Sequence, residues 1–450
     1  MKYIMKRAKI SFLLAVAVMV MVLSSCNKKP YVPLLDPSPV QLPTPTLATL
    51  LDDPTYSIFK AAVVKAGLLA TLQTTTSRYT LFIPNDAAMT ASGLSLATIN
   101  ALPVATVASL VSYHILPQQI NSTSIPTMFP NFAYPTILNP APTNVPPIVR
   151  LTTSPSNRNG FWLNNIPMVQ LDIPAVNGVA HRIALASAPP SRYIWDRLTS
   201  DADFSIYRAA VLRADSGVAT TTSASIQWVL SNLGPNVTLF APSNQAFRNL
   251  FGPQTGLPTA NYVSAPGATS AGTLITVAST TGLLPGMSVS VTSGTGVFAA
   301  GTTVTTVNSA STFTVSAAPT TPLSGGAVVT GNPDPLYAAF LGGSNISTTT
   351  VKGIVVYHLL GQGRAFLNNF PTSPTAYPTL LNSAIPSHPG VTLVVTFTGP
   401  TTITSATVKG VVNTTPANIA INPTPDPGGT SDQHFINGTI QKIDQVLRPQ

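Results

Sequence analysis

Glutamate is absent from this chain of 450 residues, since all 13 acidic residues are aspartate. Its absence excludes every mechanism that needs a glutamate as an acid, a base or a metal ligand. The single cysteine excludes internal disulfides and zinc sites built from several thiolates. Charged residues make up only 8% of the chain, which is about a third of the usual share. The apolar content of 44% nevertheless indicates folded protein rather than a charge-rich disordered chain.

Positive charge is also scarcer than the net value of +9 suggests. Four basic residues, Lys2, Lys6, Arg7 and Lys9, lie in an N-terminal segment that we expect to be removed. No basic block follows them, which argues against nucleic-acid binding. The five histidines do not have the spacing of zinc ligands, and no nucleophile elbow, phosphate-binding loop or dinucleotide fingerprint occurs. We therefore expect no catalytic residues, no metal and no cofactor.

The first 26 residues have the pattern of an export signal. After the basic residues, an apolar run from Ile10 to Leu23 is too short to span a bilayer comfortably. The run ends in Leu23-Ser24-Ser25-Cys26, which resembles a bacterial lipobox, and the resemblance implies cleavage before Cys26 and acylation of that cysteine. We predict a signal peptide at residues 1–25 and a lipid anchor on Cys26 that holds the protein at a membrane. An uncleaved anchor with an incidental cysteine is the alternative.

The residues after the cysteine predict where the protein goes and how it is tethered. Asn27 follows Cys26, and by resemblance to other lipoproteins this implies the outer membrane of the cell envelope, with the face of that membrane left open. Six prolines between Pro30 and Pro45 favour an extended polyproline stalk over residues 26–45. A disordered tail of no defined reach is the alternative. Folded structure is expected to begin near Thr46.

Four sequence blocks occur twice in the same order, which indicates an internal duplication. They are an amphipathic helix, a strand that ends in proline and a helix cap, a Tyr-His pair, and an Asn-Gly turn. We expect the basic residues of the helix, such as Lys60 and Arg208, to face outward. The pairs of blocks are Asp53–Ala66 with Asp201–Ala214, Tyr79–Met89 with Val237–Phe247, Val111–Leu116 with Val355–Leu360, and Asn177-Gly178 with Asn437-Gly438. The offset between copies jumps from 158 to 244 residues between the second and third blocks. The second copy therefore contains an insertion.

At these blocks the chain resembles the fasciclin family. Domains of that family carry a Thr-Xaa-Phe-Ala-Pro block, a Tyr-His block and a closing Asn-Gly-Xaa-Ile-His-Xaa-Ile-Asp block. The resemblance implies an α+β fold with two tandem fasciclin-like domains, residues 46–190 and 195–449, each a β-sandwich or wedge with small helices. The closing blocks depart from the family pattern, since the first copy has His181 but no aspartate, and the second has Asp444 but Gln441 in place of histidine. These departures put a ligand role of the two positions in doubt.

The insertion, residues 262–332, differs from the rest of the chain in composition. No charged residue occurs between Asn249 and Pro333, and Thr, Ser, Gly, Ala and Val dominate. Alternating apolar residues separated by glycine-rich turns predict a small all-β module, with an unstructured linker as the alternative. Because the insertion begins and returns between two fasciclin elements, its ends should lie close together at the domain surface. Its uncharged, hydroxyl-rich surface would suit glycan contacts or self-association.

Tyr113, His114, Tyr357 and His358 are the candidate partner-binding residues. A histidine on an apolar helical stripe is usually a core residue with a hydrogen-bond partner. The fasciclin resemblance implies a second possibility, since this block has been implicated in adhesion in the family. We therefore predict a non-catalytic, lipid-anchored envelope protein that binds a protein or glycan ligand of a cell surface or matrix. A glycan-binding accessory lipoprotein for polysaccharide capture is the alternative, and a hydrolase assembled from distant segments is the third.

Overall fold

The computed structural model describes residues 45–140, 149–251, 263–283, 286–332, 340, 347–361 and 363–450. The predicted signal peptide, the acylated Cys26 and the stalk up to residue 44 lie outside the described residues, so these three stay predictions. Among the described residues, no helix has both the length and the apolar character needed to cross a membrane.

The first repeat places short helices against one face of a six-stranded sheet. Its helices are α1 (Leu47–Leu50), α2 (Ser57–Lys65), α3 (Leu69–Gln73), α4 (Asp86–Ala91), α5 (Leu96–Ala101) and α6 (Val104–Tyr113). Its strands are β1 (Tyr79–Pro84), β2 (Ile115–Leu116), β3 (Tyr134–Pro135), β4 (Thr152–Thr153), β5 (Pro155–Ser156), β6 (Trp162–Leu163), β7 (Ile166–Ala175) and β8 (Gly178–Ile183). The sheet order is β2-β1-β8-β7-β6-β5, and β3 pairs with β4 separately.

A parallel pair of strands forms the centre of this sheet. β1 pairs with β8 from Tyr79 opposite Gly178 to the ends of both strands. Successive side chains of a strand point to opposite faces. Leu81 and Ile83 accordingly pack in the core formed with the helices, whereas Phe82 packs in a second core on the other face. The repeat is therefore a wedge with apolar cores on both sides of its central strands.

The second repeat has the same plan at the corresponding positions. Its helices are α7 (Ile194–Ser200), α8 (Ser205–Ala214), α9 (Ile226–Ser231), α10 (Asn244–Phe251) and α11 (Thr348–Tyr357). Outside the insertion its strands are β9 (Val237–Pro242), β16 (Leu359–Leu360), β17 (Thr375–Tyr377), β18 (Val391–Thr398), β19 (Thr402–Lys409), β20 (Ala417–Asn418), β21 (Gln433–Phe435) and β22 (Gly438–Ile443). β9 and β22 form the central parallel pair, with Val237 opposite Gly438. The central order β2-β1-β8-β7 of the first repeat recurs as β16-β9-β22-β21 in the second, which confirms the duplication and the α+β class, while β17-β18-β19-β20 form a separate sheet.

Capping residues start the short helices where the sequence predicts them. Asn85 Oδ1 accepts a hydrogen bond from Ala88 N at 2.9 Å at the start of α4, and Ser243 Oγ accepts one from Ala246 N at 3.2 Å at the start of α10. Short 3₁₀ turns precede α2 and α8, at Pro54–Tyr56 and Ala202–Phe204. The block of strand, proline, cap and helix therefore has a structural role in both repeats.

The Asn-Gly pairs form tight hairpin turns, as predicted. Gly178 has φ +152°, and a Cβ there would collide with the backbone carbonyl of Tyr79 on the neighbouring parallel strand. The side chain of Asn177 ties this turn to α1, because Leu47 N donates to Asn177 Oδ1 at 2.9 Å. In the second repeat Gly438 has φ +154°, and Ile194 N donates to Asn437 Oδ1 at 3.1 Å.

The insertion forms a small closed β-barrel, which confirms an all-β module. Its strands are β10 (Val263–Ala271), β11 (Leu274–Thr276), β12 (Ser288–Val297), β13 (Val304–Val307), β14 (Thr312–Val315) and β15 (Thr321–Asn332). They follow the order β12-β15-β10-β11-β14-β13. The two outer strands then meet, because Val304 N donates to Met287 O at 2.8 Å and Val289 N donates to Thr302 O at 3.0 Å. This closure involves the start of β12 and the residues around Thr303, and the pairing of Val263 with Gly331 keeps the two ends of the insertion together.

One expectation about the amphipathic helices is wrong. Lys60 of α2 is partly exposed and pairs with Asp52 at 2.7 Å, as an outward-facing residue should. Its counterpart Arg208 on α8 is buried, with 3% of its surface exposed, and its Nη1 donates to Thr199 O at 3.3 Å. The difference arises because the neighbouring α7 packs beside α8 and covers this position.

Candidate functional site: the Tyr-His blocks and the repeat junction

His114 lies at the C-terminal end of α6 and joins that helix to the end of its repeat. Its Nδ1 lies 2.8 Å from Leu110 O, and its Nε2 accepts a hydrogen bond from Ser187 N at 3.0 Å. The ring also packs edge-on against Phe59 at a centroid distance of 5.3 Å. His358 repeats all three contacts. Its partners are Ile354 O at 2.8 Å, Leu447 N at 2.9 Å and the ring of Tyr207 at 5.7 Å.

These contacts decide the protonation state of both histidines. Because Nε2 accepts a hydrogen bond from a backbone N–H, Nδ1 must carry the proton that is donated to the helix carbonyl. Burial lowers the pKa of His114 and of His358 to about 4, because the charged ring would lose its hydration. Both rings are therefore neutral at pH 7 and serve as core hydrogen-bonding residues, as the helical stripe predicts.

The tyrosines of the two blocks face different surroundings. Tyr113 donates its hydroxyl hydrogen to Thr152 O at 2.9 Å and packs at the boundary between the repeats. Tyr357 donates to Gly390 O at 2.6 Å and accepts from Val411 N at 3.0 Å, both within the second repeat. Tyr357 therefore connects parts of its own repeat. Its counterpart Tyr113 lies where the first repeat contacts the second.

All four candidate partner-binding side chains are buried, with 0% of their surface exposed. The helix stripe brings each Tyr-His pair into the core rather than to a surface. A ligand could reach these residues only if the repeat opened, so their role in partner binding stays a prediction. The described structure assigns them a structural part.

Position 181 and its counterpart 441 make the same two contacts with different side chains. His181 accepts a hydrogen bond from Asp172 N through Nδ1 at 3.2 Å and donates from Nε2 to Ile120 O at 2.9 Å. Gln441 accepts from Asp432 N through Oε1 at 2.9 Å and donates from Nε2 to Ala365 O at 2.9 Å. Glutamine in place of histidine at position 441 therefore keeps both hydrogen bonds. This equivalence indicates a structural role for the position rather than a ligand site.

The repeats meet across a buried contact surface that we call the repeat junction. It comprises residues 129–138 and 151–164 of the first repeat with residues 363–377 and 433–436 of the second. Asn131 N donates to Arg364 O at 2.9 Å in an antiparallel bridge. Asn159 Nδ2 donates to the carbonyl oxygens of Asn368 and Phe370 at 2.9 and 2.8 Å. These backbone and amide contacts hold residues from Pro45 onward as one unit.

Arg364 is the central side chain of the repeat junction. Only 2% of its surface is exposed, and its Nη1 donates to Thr152 O of the first repeat at 2.9 Å. Its Nη2 donates to Phe435 O and Ile436 O at 3.3 and 2.8 Å. Among the described residues, no carboxylate pairs with this guanidinium.

The duplicated blocks do not include Arg364, although the sequence around it holds a signal. It is the only Lys, Arg or Asp between Lys352 and Lys409, and the residues around it are mostly apolar or hydroxylated. An isolated arginine in such a stretch is rarely placed at random, because burying a guanidinium is costly unless its donors are satisfied. What the sequence could not show is that its acceptors are carbonyl groups of both repeats.

An aromatic cluster closes one end of the repeat junction. Phe129 packs edge-on against Phe370 at 5.6 Å and against Tyr377 at 4.6 Å, measured between ring centroids. The guanidinium of Arg158 lies 5.5 Å from the centre of the Phe129 ring. These rings add apolar area to a contact that is otherwise formed by amides and carbonyl groups.

Two aspartates at the start of the duplicated helix block have structural roles. Asp53, which follows Asp52, accepts from Thr55 N at 2.9 Å and caps the first 3₁₀ turn. Asp201 repeats this contact with Asp203 N at 2.9 Å. Among the described residues, no group of three or more His, Cys or Asp side chains could hold a metal ion.

Part of the first repeat matches a known protein family. Residues 54–185 match the family model of the fasciclin domain. Over these residues the first repeat is similar to the fasciclin domain, and the second repeat shares its central strand order, so the two repeats are tandem fasciclin-like α+β domains. No curated protein matches the chain.

A solved structure also shows a likeness, a FAS1 domain pair from the insect cell adhesion molecule fasciclin I. The identity is 12%, and the alignment covers 87% of this chain and 96% of that one. The TM-score is 0.29.

Proposed function

We propose that this protein is a non-catalytic adhesion protein of the cell envelope, tethered to a membrane by lipid on Cys26. The match of residues 54–185 to the fasciclin domain carries the proposal, because fasciclin domains are associated with cell adhesion. The ligand is a protein or a glycan of a cell surface or matrix. Because Tyr113, His114, Tyr357 and His358 are buried, binding to the closed repeats would use residues on their outer surfaces.

The chemistry of the histidines supports a non-catalytic role. His114, His181 and His358 use both ring nitrogens for contacts with backbone groups. His388 does the same, since its Nδ1 accepts from Gly390 N and its Nε2 lies 3.0 Å from Pro449 O. A ring occupied in this way has no free nitrogen with which to act as a general base.

The anchor is tested by fractionating cells that express the full chain and by treating intact cells with a protease. We expect the wild-type protein in the membrane fraction and cleavage by external protease. Cys26→Ala should leave the membrane fraction, because the acyl chains supply the binding free energy. Ser25→Ala is the matched control, since it keeps a small residue before the cysteine. Membrane association of Cys26→Ala would contradict the anchor.

The uncharged surface of the barrel favours polysaccharide capture as a second candidate function. Thr292, Ser293 and Thr295 on β12 are exposed, and hydroxyl groups of this kind can exchange hydrogen bonds with sugars. A glycan array probed with the full chain separates the two functions. Tight binding to one defined oligosaccharide favours capture, whereas binding to cells or matrix protein without any array signal favours adhesion.

A further inference from the structure

His434 differs from the other four histidines because its Nε2 is buried and has no hydrogen-bond partner among the described residues. The residue lies on β21, inside the repeat junction. Its ring packs against Tyr113 of the first repeat at a centroid distance of 6.2 Å and edge-on against Phe366 of the second repeat at 5.5 Å. His434 is therefore covered from both sides, and one of the two covers belongs to the other repeat.

The charged neighbour of His434 is Arg364. The guanidinium donates to the carbonyl groups of Phe435 and Ile436, the two residues that follow His434 in the chain. Tyr113 is the other titratable group that faces the ring, and burial raises the pKa of Tyr113 to about 12, so the phenol is neutral. The environment of His434 thus combines one buried cation with one neutral hydroxyl group.

The acidic residue nearest in sequence does not offset this cation. Asp432 Oδ1 accepts hydrogen bonds from Leu367 N and from Gln441 Nε2, each at 2.8 Å. Its carboxyl is thus occupied within the second repeat. Burial raises the pKa of Asp432 to about 6, so this group also loses its charge as the solution becomes acidic.

From this geometry we propose that the repeat junction is an acid-sensitive contact: protonation of His434 beside the Arg364 guanidinium weakens the docking of the first repeat on the second. A protonated ring, whose Nε2 is buried without a partner among the described residues, would add a second positive charge close to the Arg364 guanidinium beneath Tyr113 and Thr152 of the first repeat. Separation of the repeats removes Tyr113 from the ring and Thr152 from the guanidinium, so that water can reach both cations. The junction therefore stays closed at neutral pH and opens more readily in acid.

The sign of the pH dependence follows from linkage. Burial, and then the charge of Arg364, lowers the pKa of His434 well below 6.5 in the docked form. In the undocked form Tyr113 no longer covers the ring, so the pKa of His434 rises toward its ordinary value of about 6.5, which sets the upper limit of the effect. The docking constant is therefore largest above pH 6.5 and falls up to tenfold per pH unit below it, which is about thirtyfold at pH 5.

Hydrogen exchange of the full chain tests the proposal at pH 7.5 and pH 5.0, after correction for intrinsic exchange rates. The amide of Asn131 reports on the junction, because it donates to Arg364 O. The amide of Phe240 donates to His358 O inside the second repeat and reports on global unfolding. We expect the protection of Asn131, relative to that of Phe240, to fall by up to about thirtyfold at pH 5.0 in the wild-type protein.

Variants identify the group that titrates. His434→Gln should abolish the relative loss, and His434→Leu provides a second neutral side chain if the first variant folds poorly. His388→Gln, which changes a histidine outside the junction, should keep the wild-type pH dependence. An equal loss in the wild type and both His434 variants would overturn the proposal. A wild-type Asn131 whose protection changes only in step with Phe240 would also overturn it, because the junction would then open by unfolding alone.

Discussion

At the scale of single residues, the duplication shows which chemical property the equivalent positions 181 and 441 require. His181 and Gln441 are unlike in shape and in acid-base behaviour, yet both accept from the N–H of an aspartate and donate to a carbonyl group. Both are fully buried. The position therefore requires one acceptor and one donor at fixed places, because unpaired backbone groups would be costly there.

This equivalence predicts that His181→Gln is tolerated. The amide restores both hydrogen bonds, so we expect a loss of no more than about 1 kcal/mol at pH 7. His181→Ala leaves Asp172 N and Ile120 O unpaired and should cost about 2–3 kcal/mol. Urea unfolding of the three proteins measures the difference. Equal losses in both variants would show that the ring itself, and not its hydrogen bonds, is required.

The same variant should also alter the response to acid. Burial lowers the pKa of His181, so the neutral ring contributes stability that is complete above pH 6.5 and is lost as the pH falls. Glutamine does not titrate. His181→Gln should accordingly lose less stability than the wild type between pH 7 and pH 5.

At the scale of elements, the barrel is a nearly complete unit that still touches its host. Strand closure gives it a core of its own, with Ile275, Phe313 and Val329 buried. Its Gly286 lies close to Ser205 and Ala202, at the start of α8, so closely that a side chain there would meet the Ser205 hydroxyl. The barrel core and the core of the second repeat are continuous. The insertion thus covers part of the repeat as well as folding on itself.

Removal of residues 262–332 tests how far the barrel is independent. We expect the second repeat to remain folded and to unfold cooperatively, because its central strands and the core around Phe240 do not include the barrel. A modest loss of stability should follow from exposing α8. Circular dichroism and thermal melting measure both effects. Loss of a cooperative transition would show that the barrel completes the core of its host.

At the scale of the whole molecule, contacts between the repeats turn two similar domains into one unit. Tandem domains commonly move relative to one another unless their interface is large. Here a bridging backbone, a buried arginine and an aromatic cluster all cross the boundary. Ile120 N and Ala365 N donate to the equivalent hydroxyls of Thr80 and Thr238, which makes Gln119 the counterpart of Arg364 in the first repeat. Gln119 is exposed. The junction is therefore a property of the pair and not of the duplicated fold.

Asn159→Gly is predicted to loosen this pair. Asn159 has φ +53°, a conformation that glycine adopts without strain, so the change removes the side chain without disturbing the turn. Two hydrogen bonds to carbonyl groups of the second repeat are lost, at about 1 kcal/mol each. Small-angle scattering should show a broader distribution of distances between the repeats. Asn308→Gly on the barrel is the control, and equal broadening in both variants would contradict the prediction.

Local features were the most predictable part of the fold. The strand closed by Pro84, the cap at Asn85 and the turn at Asn177-Gly178 each depend on a few neighbouring residues, so their sequence pattern is sufficient. The position of the insertion followed from spacing alone. The burial of Arg208 was not predictable, because it depends on α7 packing beside a helix whose own pattern suggested an exposed face.

In the candidate site too, the sequence predicted some features and not others. Sequence pattern indicated that His114 and His358 belong to apolar stripes, and the structure places both in the core. It could not show that Tyr113 packs against His434 of the second repeat while Tyr357 donates to Gly390 O of its own repeat, because both partners are distant from the tyrosine in the chain.

The sequence by itself determined the duplication, the two copies of the fasciclin-like blocks and the presence of a β-rich insertion, because these depend on spacing and on short-range preferences of the chain. Only the tertiary structure decided that the barrel closes, that Gln441 replaces His181 bond for bond and that Arg364 and His434 lie together beneath the first repeat. Those features depend on contacts between residues far apart in the chain, whose strength is set by burial and by mutual geometry.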